Sequence, residues 1–319
     1  PTAADEPPAM TPGWLLREVA RLYTYPFVLL LWLWPPAQGW VTRYMRQSIM
    51  VWKVFVLPFR EANHEAVATA TGADAAKVDR KTIQVLVVAA LCLTLLEYFG
   101  MSNRYWVVTN ALRALGMDGA AGRLEAAMAD QLWRLTYWAT ACLTAYFVVP
   151  ALVIKLVFRE RLSDYGVGLR GAFKDGWIYV LFFGTVAPAL LFVSYDAHFQ
   201  QTYPFYDVPD GEPLWPRFWL WEGLYFLQFF ALEFFFRGFM VHGTRKRLGY
   251  YSVVVMAVPY CMIHYGKPLP ETLGAIIAGV VLGSLSLKSR SIWLGVAIHT
   301  SVALGMDMLS LSHAGRFGP

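Results

Sequence analysis

The sequence predicts an all-α polytopic membrane protein, a bundle of about seven or eight transmembrane helices behind an N-terminal interfacial helical region. Three observations predict it. Hydrophobic residues make up 57% of the 319-residue chain and charged residues only 15%, with a mean hydropathy of +0.43; soluble domains carry about a quarter charged residues. Apolar runs long enough to cross a bilayer recur from Ile83 onward. Clusters of Lys and Arg fall in alternate connections between those runs, as the positive-inside rule requires.

Residues 1–13 are rich in proline and alanine, lack the basic and apolar regions of a signal peptide, and read as a disordered tail. Residues 14–80 form the interfacial, cytoplasmic region. There Arg43, Arg46, Lys53 and Arg60 interleave with Trp40, Tyr44, Trp52 and Phe55, a mixture suited to helices in the headgroup layer. Residues 25–34 are strongly apolar, but Pro35 and Pro36 end them early; a short tilted crossing is the alternative reading. Residues 61–81 are a polar, alanine-rich connector.

The bundle occupies residues 81–319. Its predicted spans are 83–99, 136–158, 177–195, 218–240, 252–264, 272–287 and 292–309, with an amphipathic excursion over 100–130. Arg80 and Lys81, residues 155–174, Arg245 to Arg247, and Lys288 with Arg290 supply the basic connections. The loop at 196–216, with Asp196, Asp207, Asp210 and Glu212, falls on the other side. This places the N-terminus in the cytoplasm and the C-terminus outside, and the chain in a plasma membrane such as the bacterial inner membrane.

Composition also excludes. A net charge of +5 and a pI near 9.1 follow from basic cytoplasmic loops, so no nucleic-acid partner is implied; the expected surroundings are membrane lipid. Cys92, Cys142 and Cys261 lie far apart in apolar runs and make neither a disulfide framework nor a metal motif.

The informative residues are the polar ones in apolar helices. A carboxylate at bilayer depth costs about 2.5–3.5 kcal/mol on insertion scales, so Glu233 must be paired, inward-facing or at work. Arg237 stands four residues on, one turn away on the same face. His264 sits where Gly266 and Pro268 break a helix. His299 lies mid-span, with Asp307 two turns beyond. Gly279 and Gly283 form a GxxxG pair for close helix packing, and Ser284 and Ser286 can hydrogen-bond across helices. Each has a plainer reading: an ion pair for Glu233 and Arg237, hydrogen-bonded interior histidines, and an interfacial Asp307. Glu222, on the face of Glu233, reads as solvated, His242 as a cytoplasmic surface residue, and His198 and His313 as loop residues.

Glu233-Phe-Phe-Phe-Arg237-Gly238, Tyr260-x-x-x-His264, and Ser291-Ile292-Trp293 leading to His299 together resemble the CPBP (Abi) family. These are intramembrane glutamic endopeptidases, including the CAAX prenyl endopeptidases, with motifs EExxxR, FxxxH and HxxxN/D. The resemblance covers the core at about 217–311. It implies hydrolysis of a membrane-associated peptide or protein with no metal or other cofactor. Glu233 and His264 would activate water, and His299 would stabilise the oxyanion, supported by Arg237, Asp307 and Tyr260. Three positions depart from the motifs: Leu232 stands where the first glutamate falls, Ala303 where Asn or Asp falls, and Tyr260, a mild change, where Phe falls. Two alternatives stay open. One is a non-catalytic scaffold or immunity protein binding a peptide or lipid-linked partner; the other is a zinc protease using Glu233, His264, His299 and Asp307.

Overall fold

The computed structural model describes residues 61–67, 79–169, 172–173, 176–209, 211–267 and 269–316. The predicted tail and the interfacial region before residue 61 lie outside these. Among the described residues every regular element is helical. In chain order they are α1 at residues 61–67, α2 (Arg80–Gly100), α3 (Trp106–Ala114), α4 (Asp118–Ala127), α5 (Gln131–Phe158) and α6 (Gly176–Val193). There follow α7 (Ala197–Thr202), α8 (Arg217–Leu248), α9 (Tyr251–Met262), α10 (Leu269–Ser289) and α11 (Trp293–His313). Six, namely α2, α5, α6, α8, α10 and α11, are long and apolar enough to cross a membrane. The chain is thus an integral membrane helix bundle, and the remaining predicted span is the shorter α9.

Caps fix the helix starts. Asp79 accepts hydrogen bonds from the Lys81 and Thr82 amides at the head of α2, filling donors that a helix start leaves open. Asp130 does the same for Leu132 at the head of α5, at 2.8 Å. Asp130 also takes the Arg217 guanidinium at 2.6 and 2.5 Å, which fastens the start of α8 to the start of α5.

Helix α8 is the centre of the bundle. In its most apolar stretch 72% of the residues are buried, against 17–50% in the other long helices. Phe234, Phe235, Phe236 and Phe239 are fully buried, and the rings of Tyr146 and Phe147 on α5 meet them at centroid distances of 4.7–5.9 Å. From Phe234 to His242 the helix is wound as a π-helix, a form that recurs at functional sites. At Gly238 a Cβ would stand 2.7 Å from the Tyr165 carbonyl oxygen, so the loop after α5 rests directly on this segment. The helix runs on to Leu248, past the predicted end at 240. His242 is consequently buried, 3.2 Å from Ser286 Oγ, instead of lying on the cytoplasmic surface.

The glycine pair packs α10 on α9. A Cβ at Gly279 would stand 3.1 Å from the Tyr260 ring, and one at Gly283 would stand 2.8 Å from both Met256 and Val253. The run Ser291-Ile292-Trp293 starts α11 by docking on the loop after α5: the Ile292 amide donates to the Gly166 carbonyl at 3.0 Å, and the Trp293 indole to that of Val167 at 2.9 Å. Helix α9 has 12 residues, or about 18 Å of rise, against about 30 Å of hydrocarbon. It is therefore too short to cross on its own, and His264 follows in the turn.

Labelling tests the crossing by α8. Single cysteines at exposed Glu212 and Lys246, in a background lacking Cys92, Cys142 and Cys261, are expected to react with an impermeant maleimide from opposite faces. Reaction of both from one face rules out a crossing between them.

Candidate active site

Three helices bring the motif residues together. Glu233 and Arg237 come from α8, Tyr260 and His264 from α9 and its terminal turn, and His299 from α11. Helices α8 and α11 run antiparallel: Phe229 stacks on His299, and Glu233, one turn further along α8, abuts Gly295, one turn earlier on α11.

Glu233 and Arg237 are both completely buried. Glu233 Oε1 is shared between Arg237 Nη1 at 3.0 Å and His299 Nδ1 at 2.6 Å. The angles are not those of aligned hydrogen bonds. Helix α11 can come this close because residue 295 is glycine: a Cβ there would lie 2.9 Å from Glu233 Cδ and closer still to Oε2. Nothing in the apolar patterning marks Gly295, and sequence reasoning passed over it.

The other face of His299 leads to Tyr260. The Tyr260 hydroxyl is 2.8 Å from His299 Nε2, completing a line of Glu233, His299 and Tyr260. The Arg237 guanidinium sits 4.1 Å above the Tyr260 ring, a cation–π contact. Phe229 stacks on the His299 imidazole at 5.6 Å, nearly parallel. The hydroxyl that distinguishes Tyr260 from the family's Phe thus makes a contact in the cluster that a phenylalanine could not.

His264 is held differently. Its Nδ1 lies 2.8 Å from the Tyr260 carbonyl oxygen, so Nδ1 carries the proton and Nε2 is the accepting nitrogen. Thr272 donates to the His264 carbonyl at 2.9 Å, fixing the turn on α10. Tyr260 therefore bridges both histidines, by its hydroxyl to His299 and its carbonyl to His264.

A cavity of about 750 Å³ opens beside this cluster, lined by Tyr260, His264 and His299 and otherwise mostly apolar. Glu233 and Arg237 lie behind its wall. Leu232 and Ala303 both line it, so the two missing motif groups would have projected into one space. Lys267 and Glu271, 3.7 Å apart, also line the cavity.

Asp307 is not a solvated surface residue. It is fully buried, and its Oδ1 accepts the Phe205 amide at 3.0 Å, so it ties the loop before α8 to α11. Its neighbour Glu222 has a buried Oε1 rather than a fully solvated carboxylate. Among the described residues no three His, Cys, Asp or Glu side chains converge as a metal-ligand set, which removes the geometric basis of the zinc alternative.

Residues 213–304 match the protein-family model described as Type II CAAX prenyl endopeptidase Rce1-like. The match bears out the resemblance read from the motifs. The Rce1-like segment contains Glu233, Arg237, Tyr260, His264 and His299, together with the departures at Leu232 and Ala303, and stops short of Asp307. Neither a search of curated proteins nor one of solved structures gave a match.

Proposed function

We propose that the protein is an intramembrane endopeptidase, seated in a bacterial inner membrane with its N-terminus in the cytoplasm. It hydrolyses a peptide bond of a membrane-associated protein or peptide. The observation that carries this reading is the convergence of a histidine with a defined free nitrogen, His264, and a hydrogen-bonded tyrosine, Tyr260, on one cavity. His264 Nε2 takes a proton from water as the water oxygen attacks the scissile carbonyl carbon. The carbonyl π pair moves to oxygen. The Tyr260 hydroxyl proton turns from His299 Nε2 to that oxyanion, exchanging a neutral hydrogen bond for a charge-assisted one. Collapse of the tetrahedral intermediate breaks the C–N bond, and the amine leaves with the proton held by His264. Glu233 acts through His299 as a positioning residue, in place of the direct water activation expected from the motif, and Arg237 balances its charge.

The test is a library of membrane-anchored peptides incubated with purified wild type and with Tyr260→Phe. The ring and its contacts are retained in the variant, so folding is preserved. Loss of one oxyanion donor should lower kcat by about 10²- to 10³-fold with KM nearly unchanged. Equal turnover in both proteins removes Tyr260 from the reaction.

A second reading is favoured by the apolar Leu232 and Ala303 in the cavity wall: a non-catalytic Rce1-like scaffold that binds a peptide or lipid-linked partner. The same library separates the two, since a scaffold retains peptides without cleaving any.

A further inference from the structure

The cavity is placed unevenly along the bundle. Leu135 reaches it from the start of α5, Tyr203 and Phe205 from the loop before α8, and Lys267 and Glu271 from the junction of α9 and α10, while Met306 comes from the latter half of α11. Among the described residues, none of its lining comes from 139–158 of α5, 233–248 of α8, 283–289 of α10 or 293–297 of α11. Those parts of the bundle are filled. Phe234, Phe235, Phe236, Phe239 and Val241 of α8 are 0% exposed and pack in one cluster with Met256 of α9, Leu287 of α10 and Val296 of α11.

The two halves differ in charge as well. Lys155, Arg159 and Arg161 end α5, Arg245 to Arg247 end α8, and Lys288 and Arg290 end α10. Connections rich in Lys and Arg mark the cytoplasmic side, so the filled half is the cytoplasmic half. The loop that contributes Tyr203 and Phe205 to the cavity carries Asp196, Asp207, Asp210 and Glu212. The side chains of Lys267 and Glu271 remain 31% and 27% exposed, and the neighbouring Tyr265 and Gly266 are exposed while lining the cavity. The cavity is thus open at the turn that carries His264.

We infer that the site is served from the outer, non-cytoplasmic side of the membrane, and that its substrate is a peptide segment exposed on that side of a membrane-anchored protein. A segment on the cytoplasmic side would have to part the buried phenylalanine cluster of α8. Otherwise it would carry unpaired main-chain N–H and C=O groups through hydrocarbon, at several kcal/mol for each group. Neither cost falls on a segment already outside. The inference rests on the peptide-hydrolase reading above and adds the class of substrate: an exported segment, not a cytoplasmic one.

The test has two arms. In the first, Lys267→Cys at the opening and Ser102→Cys, which lines the cavity just beyond α2, are made singly in a background lacking Cys92, Cys142 and Cys261. Right-side-out and inverted membrane vesicles are then treated with an impermeant maleimide. Both cysteines are expected to react in right-side-out vesicles and to lose that reaction in inverted ones, with Lys246→Cys, at the basic end of α8, showing the reverse. Should one cavity variant fail to fold, the other decides. Reaction from the cytoplasmic face, or from neither face until detergent is added, overturns the inference. In the second arm, peptides that purified wild type cleaves in detergent are fused to a single-span anchor and displayed on either side of the membrane. Cleavage is expected for the outer display and lost for the cytoplasmic one; cleavage of the cytoplasmic display overturns the inference while the hydrolase reading stands. If purified wild type cleaves no peptide, the hydrolase reading fails by itself, and the labelling still decides the side from which the cavity is reached.

Discussion

Glu233→Gln is expected to destabilise the protein by about 3–5 kcal/mol, the scale for breaking a buried ion pair from one side. Glutamine retains the shape, so the Gly295 contact is preserved, but it leaves the completely buried Arg237 guanidinium without its counter-charge. Arg237 has little else: a 3.5 Å hydrogen bond to the Ala278 carbonyl and the Tyr260 ring. Arg237→Gln added to Glu233→Gln should therefore recover part of the loss, because the charge that had become unpaired is gone. Unfolding in detergent, followed for wild type, the single variant and the double variant, measures this. A double variant no more stable than Glu233→Gln would show that the pair does not carry the stability assigned to it. Turnover separates two roles. Glutamine still offers an oxygen to His299 Nδ1, so a positioning Glu233 predicts a smaller loss of turnover than removal of His264. An equal loss would make Glu233 a proton acceptor.

The second large effect is on His264→Ala. The substitution removes the proposed proton acceptor, and kcat should fall by about 10²- to 10⁴-fold. The fold should persist, because His264 lies beyond the last residue of α9 and the anchoring bond from Thr272 goes to its main-chain carbonyl. His299→Ala is expected to lose activity as well, but with a stability penalty, since Glu233 then keeps only Arg237. Measured turnover and melting should thus separate the two histidines: activity alone for His264, both properties for His299. Unimpaired cleavage by purified His264→Ala would end its role as general base.

Much of this arrangement was readable from residue types. Long apolar runs can only be helices in lipid, which implied the bundle. The spacing of Glu233 and Arg237 implied their pairing, and the glycine pair on α10 implied the close approach to α9. The unread parts depend on contacts between segments distant in sequence. Asp307 is buried because the chain folds back to bring the Phe205 amide to it. His242 is buried because α8 continues past the predicted boundary and meets Ser286. The π-helical winding from Phe234 to His242 has no compositional signature.

The absent side chain at residue 295 also restricts the order in which this molecule can change. While Glu233 is in place, any larger residue at 295 collides with its carboxylate, so the helix crossing has to open before such a substitution is tolerated. If Glu233 is first exchanged for a smaller residue, the space is released and residue 295 is free to vary. The return path is then closed, because a regained glutamate would meet the new side chain. The contact between α8 and α11 thus works as a ratchet on mutational history: a lineage can leave the buried carboxylate in one sequence of steps and cannot retrace it by reversing only one of them.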